Sequence, residues 1–288
     1  MTAPMDLRSL IRAPHPDLAP LPPAAPVGNG VRLHRGVPYA ELPGARPLEL
    51  DLWLPDGAGP HPVLLLVHGG AWRTGRRGDM GHRMRTWRPG PFARLAASGF
   101  AVASVDYRLS GEAAFPAQLE DLRSALAWLS TRSHELGVDT DRTVVWGESA
   151  GGHLAALLAL ADDVPGIIGA VAWYAPTDLT SDADDPHSPE ALLLGATPAT
   201  VPERAIQASP LLQVHPEAPP FLLVHGEDDS LVSPEHSRRL AERLSEVGTP
   251  VELRLVPGAD HVWHGLAEDQ VEEVFSTSLA WAHQLTSR

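Results

Sequence analysis

Apolar and polar positions along this chain fall into two alternating rhythms. Short runs that are wholly apolar or that alternate every second residue recur between longer stretches with apolar residues three and four apart. Residues 62–67 (Pro-Val-Leu-Leu-Leu-Val) form a continuous apolar run, the signature of a strand covered on both faces. Residues 48–54 (Leu-Glu-Leu-Asp-Leu-Trp-Leu) alternate strictly, which predicts a strand with one buried and one wet face. Further strands are expected at 31–39, 100–105, from Thr143 into Trp146, 167–174, 219–224 and 251–256. Helical spacing is clearest at 116–133, where Leu119, Leu122, Leu126 and Leu129 share a face. Other helices are expected at 91–98, stopped by Gly99, in the Ala/Leu-rich stretch up to Leu160, at 234–247, closed by Gly248, and at 266–285. Residues 55–62 and 139–142 read as turns. Strands alternating with helices imply an α/β fold: a mainly parallel, eight-stranded sheet with helices on both faces. Chemistry then belongs on the loops after the C-terminal ends of the strands.

Three stretches break the rhythm. Residues 1–30 carry Pro4, Pro14, Pro16, Pro20, Pro22, Pro23 and Pro26. Proline fixes φ and lacks a donor, so this arm cannot be one regular element. Only 5–12 could form a short helix, and the arm is expected either as a tail or as a strap packed over the domain at 31–288. Residues 73–90 hold six arginines and four glycines and read as a long loop. Those arginines would either meet an acidic substrate group or pair with acidic neighbours. Residues 177–214 have Asp and Pro clusters with short helical pieces at 189–194 and 202–207, as expected of a small cap inserted between strands.

Composition narrows the function. The 288 residues are 43% hydrophobic and 20% charged, enough for one large α/β core. A net charge of −14 does not favour nucleic acid or anionic membrane as a partner. The absence of cysteine excludes disulfides and thiolate metal sites. No apolar leader stretch opens the sequence and no apolar run is long enough to span a bilayer, so a cytoplasmic protein is expected, with homo-oligomerisation left open. No His/Asp group follows a metal-ligand pattern; neither metal nor cofactor is expected.

The candidate chemistry centres on Gly147-Glu148-Ser149-Ala150-Gly151. It lies between the strand entering Trp146 and the following helix. A strand that turns straight into a helix brings backbones together, and side chains at 147 and 151 would clash there. The serine oxygen at the apex is lifted clear beside a helix N-terminus, which favours developing negative charge. Two later strand-end loops supply partners: the Asp228-Asp229 pair after 219–224, and His261 after 251–256. Ser149 is a poor nucleophile until a base takes its proton. An imidazole can take that proton and return it near neutral pH. An aspartate would fix the tautomer and steady the imidazolium. His264 is a second histidine in the same loop, but only His261 directly follows Gly-Ala-Asp.

With these residues in place, the sequence resembles the α/β-hydrolase superfamily. Within it, the sequence is similar to carboxylesterases allied to the hormone-sensitive lipase and feruloyl/acetyl-esterase groups. The matching motifs are His68-Gly69-Gly70-Ala71-Trp72, Asp106-Tyr107-Arg108, Gly147 to Ala155, and His225-Gly226-Glu227-Asp228-Asp229-Ser230-Leu231-Val232. The resemblance covers roughly residues 31–285. It implies an oxyanion hole from the backbone N–H groups of Gly70, Ala71 and Ala150. The pattern His-Gly-x-x-Asp-x-x-Val puts the acid fifth, at Asp229. His68 is expected to order its loop, Glu148 to have a structural or pocket role, and Asp106, Arg108 and Asp178 to anchor loops. Hormone-sensitive lipase relatives usually carry a third glycine where this chain has Ala71-Trp72. That form looks more like the feruloyl/acetyl-esterase and kynurenine-formamidase branch. The expected activity is therefore hydrolysis of a small, short-acyl carboxylic ester through an acyl-enzyme on Ser149, His261 and Asp229. Arylformamidase is the nearest alternative, a prolyl-oligopeptidase-type peptidase a more distant one, and a non-catalytic hydrolase-fold receptor the alternative outside enzymes.

Overall fold

The computed structural model describes residues 15–180 and 185–287. Nine strands form one sheet: β1 (Ala25–Gly28), β2 (Val31–Ala40), β3 (Leu48–Pro55), β4 (His61–Val67), β5 (Ala101–Val105), β6 (Val138–Glu148), β7 (Ile167–Trp173), β8 (Phe221–Gly226) and β9 (Val251–Val256). Their order is β1-β2-β3-β5-β4-β6-β7-β8-β9. The first three and the β3/β5 pair are antiparallel, and every pair from β5 to β9 is parallel. One strand more than the expected eight is present because Ala25–Gly28, inside the proline-rich arm, pairs with β2. An edge position suits it, since Pro26 has no N–H to offer a second neighbour.

Among the described residues the α-helices are α1 (Pro91–Ala97), α2 (Ala117–Thr131), α3 (Ser133–Leu136), α4 (Ala150–Ala159), α5 (Pro189–Leu194), α6 (Pro202–Gln207), α7 (Glu235–Glu246) and α8 (Glu268–Thr286). The two-residue period of the strands sorts the core. In β4, Val63, Leu65 and Val67 pack with Leu122 and Leu126 of α2 and Leu154 of α4. Leu64 and Leu66 pack on the other face with Leu95 of α1 and Val271 and Phe275 of α8. Burial of both faces explains why β4 reads as a continuous apolar run.

Two local expectations change. The polar face of β3 is not wet: Asp51 and Trp53 are buried. The 73–90 loop and α1 cover that face. Arg77 Nε donates to Asp51 at 2.8 Å, and Phe92 stacks on Trp53 with centroids 4.6 Å apart. Residues 139–142 are not a free turn but part of β6. Val138 and Asp139 pair with His61 and Pro62 before a shift in register, and Arg142 Nε donates to Asp139 at 2.7 Å.

Pro16 and Ala19 of the arm pack at the C-terminal end of α2. Trp128 Nε1 donates to the Pro16 carbonyl at 3.0 Å, and Arg132 Nη1 donates to those of Pro16 and Ala19 at 3.2 and 2.8 Å. That end of α2 precedes β6, so it faces the N-terminal edge of the parallel strands. The helix expected at 5–12 lies outside the described residues. Among the described residues, no helix is long and apolar enough to cross a membrane.

β4 is where the strand order reverses, with β5 on one side and β6 on the other. Open parallel sheets offer a crevice beyond such a switch point. Val67 pairs with Gly147 across it, which sets the loop after β4 beside the β6–α4 turn.

Candidate active site

β6 ends at Glu148 and α4 begins at Ala150, leaving Ser149 alone in the turn at φ 50°, ψ −120°. The two glycines are required by close approach. A Cβ on Gly147 would lie 2.1 Å from the Gly151 carbonyl oxygen, and one on Gly151 would lie 2.1 Å from that of Val67. Backbone bonds hold the strained serine. Its N–H donates to Trp173 O at 2.8 Å, and its carbonyl accepts the His153 N–H at 2.9 Å.

Across the crevice, His261 Nε2 lies 3.1 Å from Ser149 Oγ and its Nδ1 lies 2.7 Å from Asp229 Oδ2. A carboxylate can only accept, so Nδ1 carries the proton and Nε2 offers its lone pair to the serine hydroxyl. Asp229 Oδ1 accepts the N–H groups of Leu231 and Val232 at 3.0 and 2.8 Å. Burial alone would raise the Asp229 pKa. Hydrogen bonds from His225, His261 and the Val232 N–H outweigh it and hold the carboxyl well below the usual carboxylate range. Asp228 is exposed, and its N–H donates to Ala259 O at 3.1 Å. His264 is exposed and closes the loop through its backbone, with Asp260 N–H donating to His264 O at 2.8 Å. The structure thus brings Ser149, Asp229 and His261 together and leaves Asp228 and His264 out.

The loop after β4 is tightly folded. Gly70 has φ 116°, and a Cβ there would lie 2.3 Å from Thr74 O, so glycine is needed. Its carbonyl accepts the N–H groups of Arg73 and Thr74, both at 3.0 Å. Ala71 and Trp72 follow at φ 52° and 55°. His68 is buried, accepts the Tyr107 hydroxyl on its carbonyl at 3.0 Å, and stacks on that ring at 4.3 Å. Its own Nδ1 bonds Gly69 O at 2.8 Å, an ordering role as expected. Ala150 is the first residue of α4, so its N–H has no acceptor within the helix.

Glu148 points away from the serine hydroxyl. Its carboxylate accepts the Tyr174 hydroxyl at 2.5 Å and faces the Gly69 N–H at 3.4 Å. Burial raises its pKa, and the Tyr174 bond opposes that rise. Tyr174 sits at φ 38° and lays its ring edge-on to His261 at 4.8 Å. Positive φ at non-glycine residues recurs in the loops after β4, β6, β7 and β9, at Ala71, Trp72, Ser149, Tyr174, Val262 and Trp263. Each such residue costs about 1–3 kcal/mol and persists only where its surroundings fix it, and strain of this kind gathers at working sites.

Three residues without a role in the sequence reading support the acid and base. His225 is fully buried, with Nε2 3.3 Å from Asp229 Oδ2 and 2.9 Å from Val232 O. Both are acceptors, so Nε2 carries a proton and the Ser237 hydroxyl donates to Nδ1 at 2.7 Å. Asp260 Oδ1 accepts the N–H groups of Ser230 and His261, both at 2.7 Å, clipping the acid loop to the base loop. His225 lies in a motif and Asp260 adjoins His261, but nothing in the sequence marks Ser237. The arginines of 73–90 divide. Arg77 pairs with Glu49, Asp51 and Asp106, Arg85 with Asp79, and Arg83 with Glu268. Arg108 pairs with Asp121, and Asp178 with Arg239, at 2.7 and 2.9 Å; with Asp106 these act as loop anchors.

A mainly parallel sheet with helices on both faces, and a strained serine between strand and helix, define an α/β-hydrolase. Comparison with known proteins makes the assignment narrower. The BD-FAE family model matches residues 50–244, and this chain belongs to that family. Among curated proteins, it is 31% identical over 247 residues to the probable carboxylic ester hydrolase LipM of Mycobacterium tuberculosis, covering 79% of this chain and 55% of LipM. It is 32% identical to esterase LipC of the same organism, covering 84% of this chain and 64% of LipC. The chain thus spans a little over half to just under two thirds of these relatives. Among solved structures, a bacterial heroin esterase superposes with TM-score 0.72 at 29% identity, over 90% of this chain and 86% of that one.

Proposed function

We propose that this chain is a serine hydrolase that cleaves small carboxylic esters with short acyl groups. The observation that carries the proposal is the hydrogen-bonded series Asp229–His261–Ser149 at a strand-to-helix turn. Ser149 Oγ attacks the ester carbonyl while His261 Nε2 takes its proton. Asp229 holds the proton on Nδ1 and steadies the imidazolium. The carbonyl oxygen becomes an oxyanion facing the N–H groups of Gly70, Ala71 and Ala150, each worth ~10²–10³ in rate. Collapse expels the alcohol, which takes the proton from His261. Water then attacks the acyl group with His261 again as base, releasing the acid and restoring the serine. No step needs a cofactor. The names of LipM, LipC and the heroin esterase support ester cleavage.

The test pairs a serine-reactive fluorophosphonate with a substrate panel. Covalent labelling at Ser149 and turnover of a short p-nitrophenyl ester are expected. A protein that does neither is no hydrolase, and preference for N-formylkynurenine would make it an arylformamidase. Trp72 in the oxyanion loop, where hormone-sensitive lipase relatives carry a glycine-only turn, supports a confined acyl pocket, so kcat/KM is expected to be higher for acetyl to butyryl esters than for decanoyl. A steady rise through long chains would show an open lipid groove instead.

The arm gives a separate expectation. Removing residues 1–24 strips Trp128 and Arg132 of their carbonyl partners at the edge of the sheet away from Ser149. Tm is expected to fall by ~5 °C with KM unchanged. A change in KM at constant Tm would place the arm over the site.

A further inference from the structure

One buried imidazole beside the nucleophile is not used by this mechanism. His153 lies in the first turn of α4 and is fully buried. Trp72 Nε1 donates to its Nδ1 at 3.2 Å, with the rings edge-on at 5.0 Å. Its Nε2 lies 2.6 Å from the carbonyl oxygen of Ala208, the C-cap residue of α6. An indole N–H can only donate, so Nδ1 must be the acceptor and Nε2 carries the proton to Ala208. Every polar atom in this series has its partner while the ring is neutral. Burial pushes the His153 pKa down to about 4, which keeps it neutral at ordinary pH.

We infer that His153 is a positioning residue that couples the oxyanion loop to the segment between β7 and β8. The inference rests on the serine-hydrolase reading. Trp72 belongs to the loop that carries Gly70 and Ala71, and both Ala71 and Trp72 sit at positive φ. Such a loop holds its peptide planes only if something fixes them. The Trp72 carbonyl is fixed by the Ser110 N–H at 2.8 Å, and its indole by His153. The His153 N–H itself donates to Ser149 O, so the same residue binds the turn that presents the Ala150 N–H. On its far side, it holds Ala208 and, through it, the end of α6. The departure from a third glycine thus has a structural partner. Tryptophan at 72 brings an N–H that must be satisfied on burial, and the histidine after Gly152 satisfies it.

The two ring nitrogens can be separated by substitution. Asparagine at 153 places an oxygen near Nδ1, so His153→Asn keeps the Trp72 bond and loses the one to Ala208. Glutamine places an amide N–H near Nε2, so His153→Gln keeps Ala208 and loses Trp72. Trp72→Phe removes the donor together with the pyrrole part of the buried ring. The oxyanion loop acts in the transition state, so His153→Gln and Trp72→Phe are expected to lower kcat on a short ester roughly tenfold, with KM within about twofold. The double variant should be no worse than about twofold below either single one, because one bond is lost in all three. His153→Asn should instead raise KM several-fold and keep kcat at least about fivefold above the Gln variant. Fluorophosphonate labelling rates should follow kcat, with circular dichroism confirming the fold. Equal behaviour of Asn and Gln, or additive losses in the double variant, would overturn the coupling. Should His153→Gln not fold, Trp72→Phe made in the wild-type and His153→Leu backgrounds decides the matter, since leucine offers the indole no acceptor. A loss confined to the wild-type background supports the Trp72–His153 bond, and equal losses in both, or no loss in either, reject it. A wild type that neither labels nor hydrolyses esters would overturn the serine-hydrolase reading, and the inference with it. A wild type that does both, with no loss in the Gln and Phe variants, rejects the coupling alone.

Discussion

Ser149→Ala is expected to leave a folded protein whose esterase turnover is lower by roughly 10³-fold or more. The turn around the serine is built from backbone. The Ser149 N–H to Trp173 O bond and the His153 N–H to Ser149 O bond both survive the change. Glycines 147 and 151, which permit the close approach, are untouched. The hydroxyl is directed at His261, so its loss removes the nucleophile and little packing. Tm should stay within a degree or two of the parent, as for a substitution without a cavity or a broken buried network. Residual activity would come from the backbone N–H donors and from binding. Near-normal turnover of a purified Ser149→Ala sample would sink the assignment of the nucleophile.

Most of the fold was legible because burial of both sheet faces writes itself as apolar runs. β9, α5 and α6 fall where the pattern places them, β4 within one residue and α2 within two. The misses share one cause: local pattern cannot see what tertiary structure lays on top. β3 alternates like a half-wet strand, yet α1 and the 73–90 loop bury Asp51 and Trp53. Residues 139–142 have turn composition, yet β6 runs through them: Asp139 pairs with Pro62 of β4, and 140–142 bulge out before Thr143 pairs with Val63. Ala25–Gly28 is too short and too proline-bound to signal a strand, and only the neighbouring edge of β2 makes it one.

The candidate site was legible to the extent that its chemistry sits in contiguous motifs. Ser149, Asp229 and His261 each follow a parallel strand, and topology brings them together. What supports them comes from elsewhere in the chain. Ser237 meets His225 from the first turn of α7. Trp72 and His153 are 81 residues apart and are joined by a single hydrogen bond. Tyr174 reaches back to Glu148 from the end of β7. A tautomer is set by geometry of this kind, and spacing along a sequence carries no trace of it.

Asp229→Asn is expected to fold and to lose activity by roughly 10³–10⁴-fold near neutral pH, whereas Asp228→Asn should lose less than about tenfold. The argument follows from the partners of each oxygen. Oδ1 of Asp229 accepts the N–H groups of Leu231 and Val232, so an asparagine will keep its carbonyl oxygen there. Its NH₂ group then falls at the Oδ2 position, 2.7 Å from His261 Nδ1 and 3.3 Å from His225 Nε2. An amide N–H facing Nδ1 makes that nitrogen the acceptor and drives the proton to Nε2. There it points at Ser149 Oγ, and the ring can no longer take the serine's proton. The substituted side chain still occupies the same buried space and keeps two backbone bonds, so folding should survive. Asp228 is exposed, and its hydrogen bond to Ala259 is made by its backbone N–H, which Asp228→Asn retains. The measurement is kcat/KM on a short p-nitrophenyl ester at pH 7 for both variants, with matched circular dichroism spectra. The reverse ranking at equal folding would move the catalytic acid to Asp228.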